Sequence, residues 1–304
     1  MCQEESGCTF KRAIRSVWNY CNDSRYSDRL FFVAFIIMLA GLKFGISALM
    51  WFGIAGMAAL FLKSDRQEKK FVTIFLLVFC SFRMLLFDYM FIPSGSMAPG
   101  LLIGDVPIVN KIAFGYTRYS LWGSPNLFSG RILSRRMPER GDIIVFRHPR
   151  DGSTNIVKRV IAVAGDRVQV TRGVIFLNGE PVKQKFLRQR SMNVHEGGRD
   201  NIVNMFSEEL NGKRYTVIYQ RDSRERSYAS NTPEFSVPQG YYFVMGDNRD
   251  NSDDSRLSLG MVPEDYVIGE PVRLLFSIDG GVGLFRPWLW LQNIRYARFI
   301  KKIV

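Results

Sequence analysis

RVQVTRGVIFLNGEPV, residues 167–182, decides the fold class. RVQV (Arg167–Val170) alternates polar and apolar residues, as a half-buried strand does. GVIFL (Gly173–Leu177) is a second short apolar run, and Asn178-Gly179 follows it directly before Glu180-Pro181-Val182. Asn-Gly between two such segments is the strongest short-range hairpin signal. Outward from this hairpin the same texture continues in IIVF (Ile143–Phe146), VIAV (Val160–Val163), YTVIY (Tyr215–Tyr219) and YYFVM (Tyr241–Met245). Extended helical periodicity is missing until the tail. The pattern predicts a mostly β, antiparallel domain over residues 92–170 and 241–304. Residues 171–240 are more polar, rich in Arg, Asn, Ser and Glu, and read as an inserted subdomain or a long hairpin excursion.

The front of the chain has a different character. Residues 1–29 are mixed in charge and lack the short basic region, apolar core and small-residue cleavage site of a secretory leader. Leu30–Leu62 is apolar almost throughout, with Lys43 its single charge. As one helix it would be about 50 Å long, against a hydrocarbon core of about 30 Å. One tilted or broken transmembrane span fits, with Gly41, Gly45, Gly53 and Gly56 as kink points, and a tight hairpin is the alternative. KSDRQEKK (Lys63–Lys70) is a short basic loop of the kind kept on the cytoplasmic side. Residues 71–91 then read as a second transmembrane helix, since neither apolar run has the polar face of a soluble helix. This topology places everything after Phe91 outside the inner membrane.

Of 304 residues 41 are Lys or Arg and 28 are Asp or Glu, a net charge of +13. The excess is spread along the chain: 11 basic against 7 acidic residues precede Pro93, leaving 30 against 21 after it. A nucleic-acid reader concentrates its charge on a helix or stripe with aromatics, so nucleic acid is not expected as a partner; an anionic lipid bilayer fits better. Cys2, Cys8, Cys21 and Cys80 all precede Pro93, so the β region has no disulfide framework. The tail carries Trp288–Trp290 with Arg295, Arg298, Lys301 and Lys302, which suits an interfacial belt or equally a core cluster with a solvated end.

Three segments could carry chemistry. Ile92-Pro93-Ser94-Gly95-Ser96-Met97 is a turn able to lift a hydroxyl clear of the backbone. Lys158 sits in an apolar strand, sharing a face with Ile156 and Val160, while Arg159 faces the other way with Val157 and Ile161. Burial favours a neutral amine, as does a nearby cation such as Arg256; a lysine snorkelling from a sheet edge is the plainer reading of that strand alone. Gly246–Arg256, GDNRDNSDDSR, is dense in Asp and Asn but lacks the glycine and terminal glutamate of a calcium loop. It reads instead as a polar loop that orients other groups. The chain has two histidines, His148 in the turn-like segment RHP and His195 in the polar stretch, so neither suits a Ser-His-Asp triad. No Cys/His spacing suggests zinc and no phosphate-binding loop appears, so neither metal nor cofactor is expected.

Taken together and in order, PSGSMAPGL (93–101), RGDIIVF (140–146), KRVIAVAGD (158–166) and GDNRDNSDDSR (246–256) closely resemble the bacterial type I signal peptidases. The resemblance implies a membrane-bound Ser-Lys protease that removes signal peptides from exported preproteins, with its catalytic domain on the periplasmic side of the inner membrane. It implies Ser96 as nucleophile, Lys158 as general base, and Ser94 as an oxyanion donor beside the Ser96 amide. Ser252 is implied to hydrogen-bond the lysine amine, with Arg159, Asp254 and Arg256 in support. Substrates are implied to carry small residues at −3 and −1, and Ile92, Met97, Leu101, Ile156 and Val157 are the candidates for shallow apolar pockets. Two positions depart from the family pattern: Gly100 stands where threonine is usual, and Ala162-Val163-Ala164 lacks the usual first glycine and the proline.

Two other readings compete. A self-cleaving regulatory Ser-Lys protein would share the dyad but need a DNA-binding helix-turn-helix. A membrane-tethered β domain with a dead site would act by binding alone.

Overall fold

The computed structural model describes residues 74, 86–121, 124, 126, 128–194, 201–220, 228–279 and 293–303. The chain divides into two compact units, Met1–Cys80 and Ser81–Val304. Both segments read as spans up to residue 85, His195 and Trp288–Trp290 lie outside the described residues, Ile74 excepted. Among the described residues no helix is long and apolar enough to cross a membrane.

Among its described residues the second unit holds fourteen strands. They are β1 (Phe87–Tyr89), β2 (Asp105–Asn110), β3 (Ile143–Arg147), β4 (Asn155–Ala162), β5 (Arg167–Thr171), β6 (Val174–Leu177) and β7 (Glu180–Pro181). After these come β8 (Gln184–Met192), β9 (Asn201–Leu210), β10 (Lys213–Gln220), β11 (Phe235–Ser236), β12 (Tyr241–Met245), β13 (Val262–Pro263) and β14 (Val267–Ser277). A seven-stranded sheet runs β1-β2-β14-β3-β4-β12-β13, a four-stranded one β11-β5-β6-β7, and a three-stranded one β10-β9-β8. All pairings between these strands are antiparallel. The mostly antiparallel β architecture expected from the alternation is therefore present.

The hairpin at the centre of the sequence argument forms as its residues dictate. Leu177 pairs with Glu180, and Asn178 and Gly179 take φ of 54° and 85°. Those angles are what a two-residue turn of type I′ requires at both positions. Asn211-Gly212, a dipeptide the sequence reading passed over, joins β9 to β10 in the same way, with φ of 49° and 74°.

Central strand β4 explains why Val160–Ala162 is a continuous apolar stretch rather than an alternating one. It lies between β3 and β12, and both of its faces are covered. Val160 packs with Ile144, Phe146 and Val244 on one side. Ile161 and Ala162 pack with Phe243 and Met245 on the other. Burying a side chain of that size is worth about 1.5–3 kcal/mol, so a two-sided strand pins the register of the whole sheet. β4 ends at Ala162, one residue short of the run read from the sequence.

The helix expected over 71–91 cannot extend that far. Phe87–Tyr89 form β1, paired with Ile108–Asn110 of β2. Asp88, inside the apolar run, pairs with the buried Lys111 at 3.6 Å. Sheet hydrogen bonds and that ion pair outweigh the run's apolar composition, so the protein's β domain begins inside the segment read as a span.

Candidate active site

Ser96 lies in a single 3-10 turn, Gly95–Met97, between β1 and β2. The turn is fixed from behind by the polar loop 246–256. The Asn248 N–H donates to the Ser96 carbonyl and its Nδ2 to the Gly95 carbonyl, both at 3.0 Å. Ser96 is half-buried and Ser94 exposed, with their Oγ atoms 3.4 Å apart.

Lys158 comes from the middle of β4 and is only 3% exposed. Burial is the largest influence on its amine and pushes it down to about 8. Asp254 and Asp253 pull it back up, Arg256 pushes it down, and Asp247 raises it. The direction anticipated for Arg256 is right, but desolvation outweighs it. Ser94, Ser96 and Lys158 line one cleft of about 390 Å³. Four of the expected pocket residues, Ile92, Met97, Ile156 and Val157, line it as well. Leu101 does not: it is fully buried beneath the turn, packed with Met97, Val109 and Val145.

The supporting residues form two buried ion pairs. Arg159 donates through Nε and Nη2 to the two carboxylate oxygens of Asp247, both at 2.8 Å, and through Nη1 to the Gly141 carbonyl. Its guanidinium also lies 3.9 Å from the centroid of the Tyr215 ring. Arg256 grips Asp254 through Nε and Nη2 at 2.9 and 2.8 Å. Burial alone would raise the Asp254 carboxyl, but Arg256 and the Gly246 N–H hold it below the usual carboxylate range. The loop 246–256 thus forms a frame between the Ser96 turn and the Lys158 strand.

Ser252 departs from expectation. Its hydroxyl is buried and has no hydrogen-bond partner among the described residues, so the bond expected to the lysine amine is not made. It sits against Gly246, where a Cβ would come within 2.3 Å of Ser252 Oγ and 2.5 Å of the Ser96 carbonyl oxygen. Close packing on the Ser96 backbone, which only glycine at 246 permits, holds the hydroxyl there.

The sequence reading missed Asn248, Asp247 and Gly95 as individual site residues. Their signal was the density of polar residues in GDNRDNSDDSR, which cannot say which side chain faces which carbonyl. Neither departure from the family pattern disturbs the frame. The turn after Ala162 is closed by Asp166, whose carboxylate accepts from the Val163 N–H at 2.9 Å and from Arg140 Nε at 2.8 Å. A Cβ on Gly100 would meet the Met97 carbonyl oxygen at 3.5 Å and Asp247 Oδ2 at 3.6 Å, ordinary contact distances. Gly100 is also absent from the glycines with positive φ. Gly100→Ala is therefore expected to stabilise the protein by about 0.4–1 kcal/mol, chiefly by restricting the unfolded chain. A urea midpoint that falls instead would show that the loop needs glycine.

No group of His, Cys, Asp and Glu among the described residues is arranged to hold a metal ion. Comparison with known proteins gives the family. The family described as signal peptidase, peptidase S26, matches residues 66–276. Signal peptidase I of Rickettsia typhi (strain ATCC VR-144 / Wilmington) is 34% identical over 259 residues, covering 79% of this chain and 95% of that protein. Signal peptidase I of Rickettsia bellii (strain OSU 85-389) is 34% identical over 256 residues, covering 79% of this chain and 86% of that protein.

Proposed function

The chain belongs to the signal peptidase, peptidase S26, family, and on that premise we propose that it removes signal peptides from exported preproteins through a Ser96–Lys158 dyad. Membership makes it a serine endopeptidase. The observation that carries the dyad is the buried amine of Lys158, held near pH 8, on the same cleft as the Ser96 hydroxyl.

A serine hydroxyl is a poor nucleophile until a base takes its proton. The neutral Lys158 amine accepts the Ser96 proton as Oγ attacks the scissile carbonyl. The oxyanion is met by the Ser94 hydroxyl and the Ser96 N–H, donors that are in place before charge develops. Protonated Lys158 then gives its proton to the leaving amine, and water, deprotonated by the same amine, hydrolyses the acyl-enzyme. The substrate lies extended beside the first half of β4, Asn155–Lys158, which β3 covers on one edge and β12 does not reach on the other, and adds main-chain bonds there. Ile92, Met97, Ile156 and Val157 make the cleft wall apolar, which suits small side chains at −3 and −1. Arg159, Asp247, Asp254 and Arg256 hold the frame. Spans within residues 30–62 and from Phe71 onward tether the enzyme to the inner membrane, with residues 63–70 cytoplasmic and the β domain on the far side. Substrate and site then share one bilayer surface, which shortens the search for a cleavage site.

Cleavage of a purified preprotein tests this reading, and the mature product is expected to begin just after small residues at −3 and −1. The rate carries a second signature. Since only the neutral amine acts as base, kcat/KM should rise tenfold per pH unit up to about 8, so that pH 6 gives roughly a hundredth of the plateau. A flat profile between pH 6 and 8 excludes Lys158 as the base.

A further inference from the structure

The three-stranded sheet β8–β10, from the polar stretch after β7, supplies no group to the dyad, yet it lies against the back of the nucleophile turn. A Cβ on Gly95 would come within 2.0 Å of the Val194 carbonyl oxygen, so the two backbones touch. Ala98 packs with Val194, Val203, Met205 and Ile218. Ile218 is also bound on both sides to the polar loop: its N–H donates to the Asp247 carbonyl at 2.9 Å, and its carbonyl accepts from the Arg249 N–H at 3.0 Å. Between those two residues stands Asn248, which holds the carbonyls of Gly95 and Ser96.

The side chain of Arg249 then enters the sheet. Arg249 and Glu208 of β9 form an ion pair in which each side chain is 1% exposed. The carboxylate is held from both neighbouring strands, accepting from Tyr215 OH at 3.0 Å and from Gln184 Nε2 at 2.8 Å. Arg249 Nη1 reaches Tyr219 OH at 3.3 Å, and the Arg249 carbonyl accepts from Arg256 Nη2 at 2.8 Å. Arg249 is thus held at both Nη atoms and at its carbonyl, which restricts its backbone to one place, although its buried Nε finds no partner among the described residues. A buried ion pair adds little net stability, because desolvation offsets its attraction, and apolar residues of like size often serve as well. Its better-attested use is to specify one arrangement.

We propose that Glu208 is a positioning residue for the peptidase reaction, acting through Arg249 and Asn248 on the turn that carries Ser96. The sheet β8–β10 is then part of the catalytic machinery, although it touches neither substrate nor reacting atoms. The assignment rests on Ser96 being the nucleophile.

The test uses the full chain in detergent micelles and two variants, Glu208→Gln and the pair Glu208→Gln with Arg249→Met. The single variant leaves a buried cation unpaired and is expected to unfold more readily. The paired variant removes both charges and is expected to regain the thermal midpoint. Positioning predicts that kcat stays depressed in the refolded pair, about 10–100-fold, with KM within about twofold, because a misplaced reacting group costs rate rather than binding. Amide exchange across residues 94–98 should quicken in the same variant, a readout independent of the chemistry. A paired variant with the parent kcat and parent exchange overturns the proposal. Ser96→Ala, run alongside, separates the two ideas: full activity there overturns the nucleophile assignment, while its inactivity together with a fully active pair overturns the role of Glu208 alone.

Discussion

Ser96→Ala and Lys158→Ala should each lower preprotein cleavage by about 10⁴-fold or more while leaving the fold intact. A nucleophile and its base act as a unit, so removing either forfeits nearly the whole benefit of both. Binding in the cleft survives, since Ile92, Met97, Ile156 and Val157 are untouched; KM against kcat in a sensitive peptide assay therefore separates lost chemistry from lost binding. Cleavage within tenfold of the parent rate in either variant sinks the dyad. The lysine makes a further demand on stability. Burial pushes its amine down to about 8 in the folded protein from the ordinary 10.5 of a lysine. Below pH 8 both folded and unfolded chains carry the charge, and the folded one bears the full desolvation. From about pH 8 to 10.5 the unfolded chain binds more protons, so stability rises with pH across that window. Lys158→Met should accordingly stabilise the inactive protein by about 1–3 kcal/mol at pH 7, with the gain shrinking above pH 8. A variant less stable than the parent at pH 7 would show that the amine has a favourable partner.

The second large effect is structural. Arg159 is 1% exposed and Asp247 is its carboxylate partner through two bonds of 2.8 Å. Asp247→Ala leaves a buried guanidinium without its counter-charge, which typically costs about 3–5 kcal/mol. Urea unfolding measures it directly, and a loss under about 1 kcal/mol would mean that water or the Tyr215 ring compensates. Asp247→Ala combined with Arg159→Met should recover most of the loss, since the penalty lies in the unpaired charge rather than in the missing pair. The two sites of large effect answer to different physics: one removes a reacting atom, the other strands a charge.

Parts of the fold were legible because local chemistry and tertiary structure agree. Asn178-Gly179 can take positive φ at both positions and does so; IIVF, RVQV and YYFVM have β-branched and aromatic side chains for which a packed sheet exists. β2, β8, β9 and β14 are not among the strands that the sequence pattern marks. QKFLRQRSM of β8 is an exposed edge strand without an apolar face, its edge guarded by Lys185, Arg188 and Arg190. β14 contains Gly269 and Pro271, which locally read as a turn, and its register shifts twice where it pairs with β2. β1 was hidden inside an apolar run because three residues, Phe87–Tyr89, are too short to show a period.

The residues alone determined the antiparallel β class and the central hairpin, and their four motif blocks in one order carry the family resemblance that implies a serine and a lysine. The first two follow from backbone preference and side-chain type, which are local. Tertiary structure alone decided that Leu101 is core rather than pocket, that the Ser252 hydroxyl packs on the Gly246 backbone without a hydrogen bond, and that Asp247 is the partner of Arg159. It also decided that Glu208, from a stretch with no motif, reaches the loop behind Ser96. Each of those outcomes depends on which groups lose their water together, and that is set by strands and loops folding over one another.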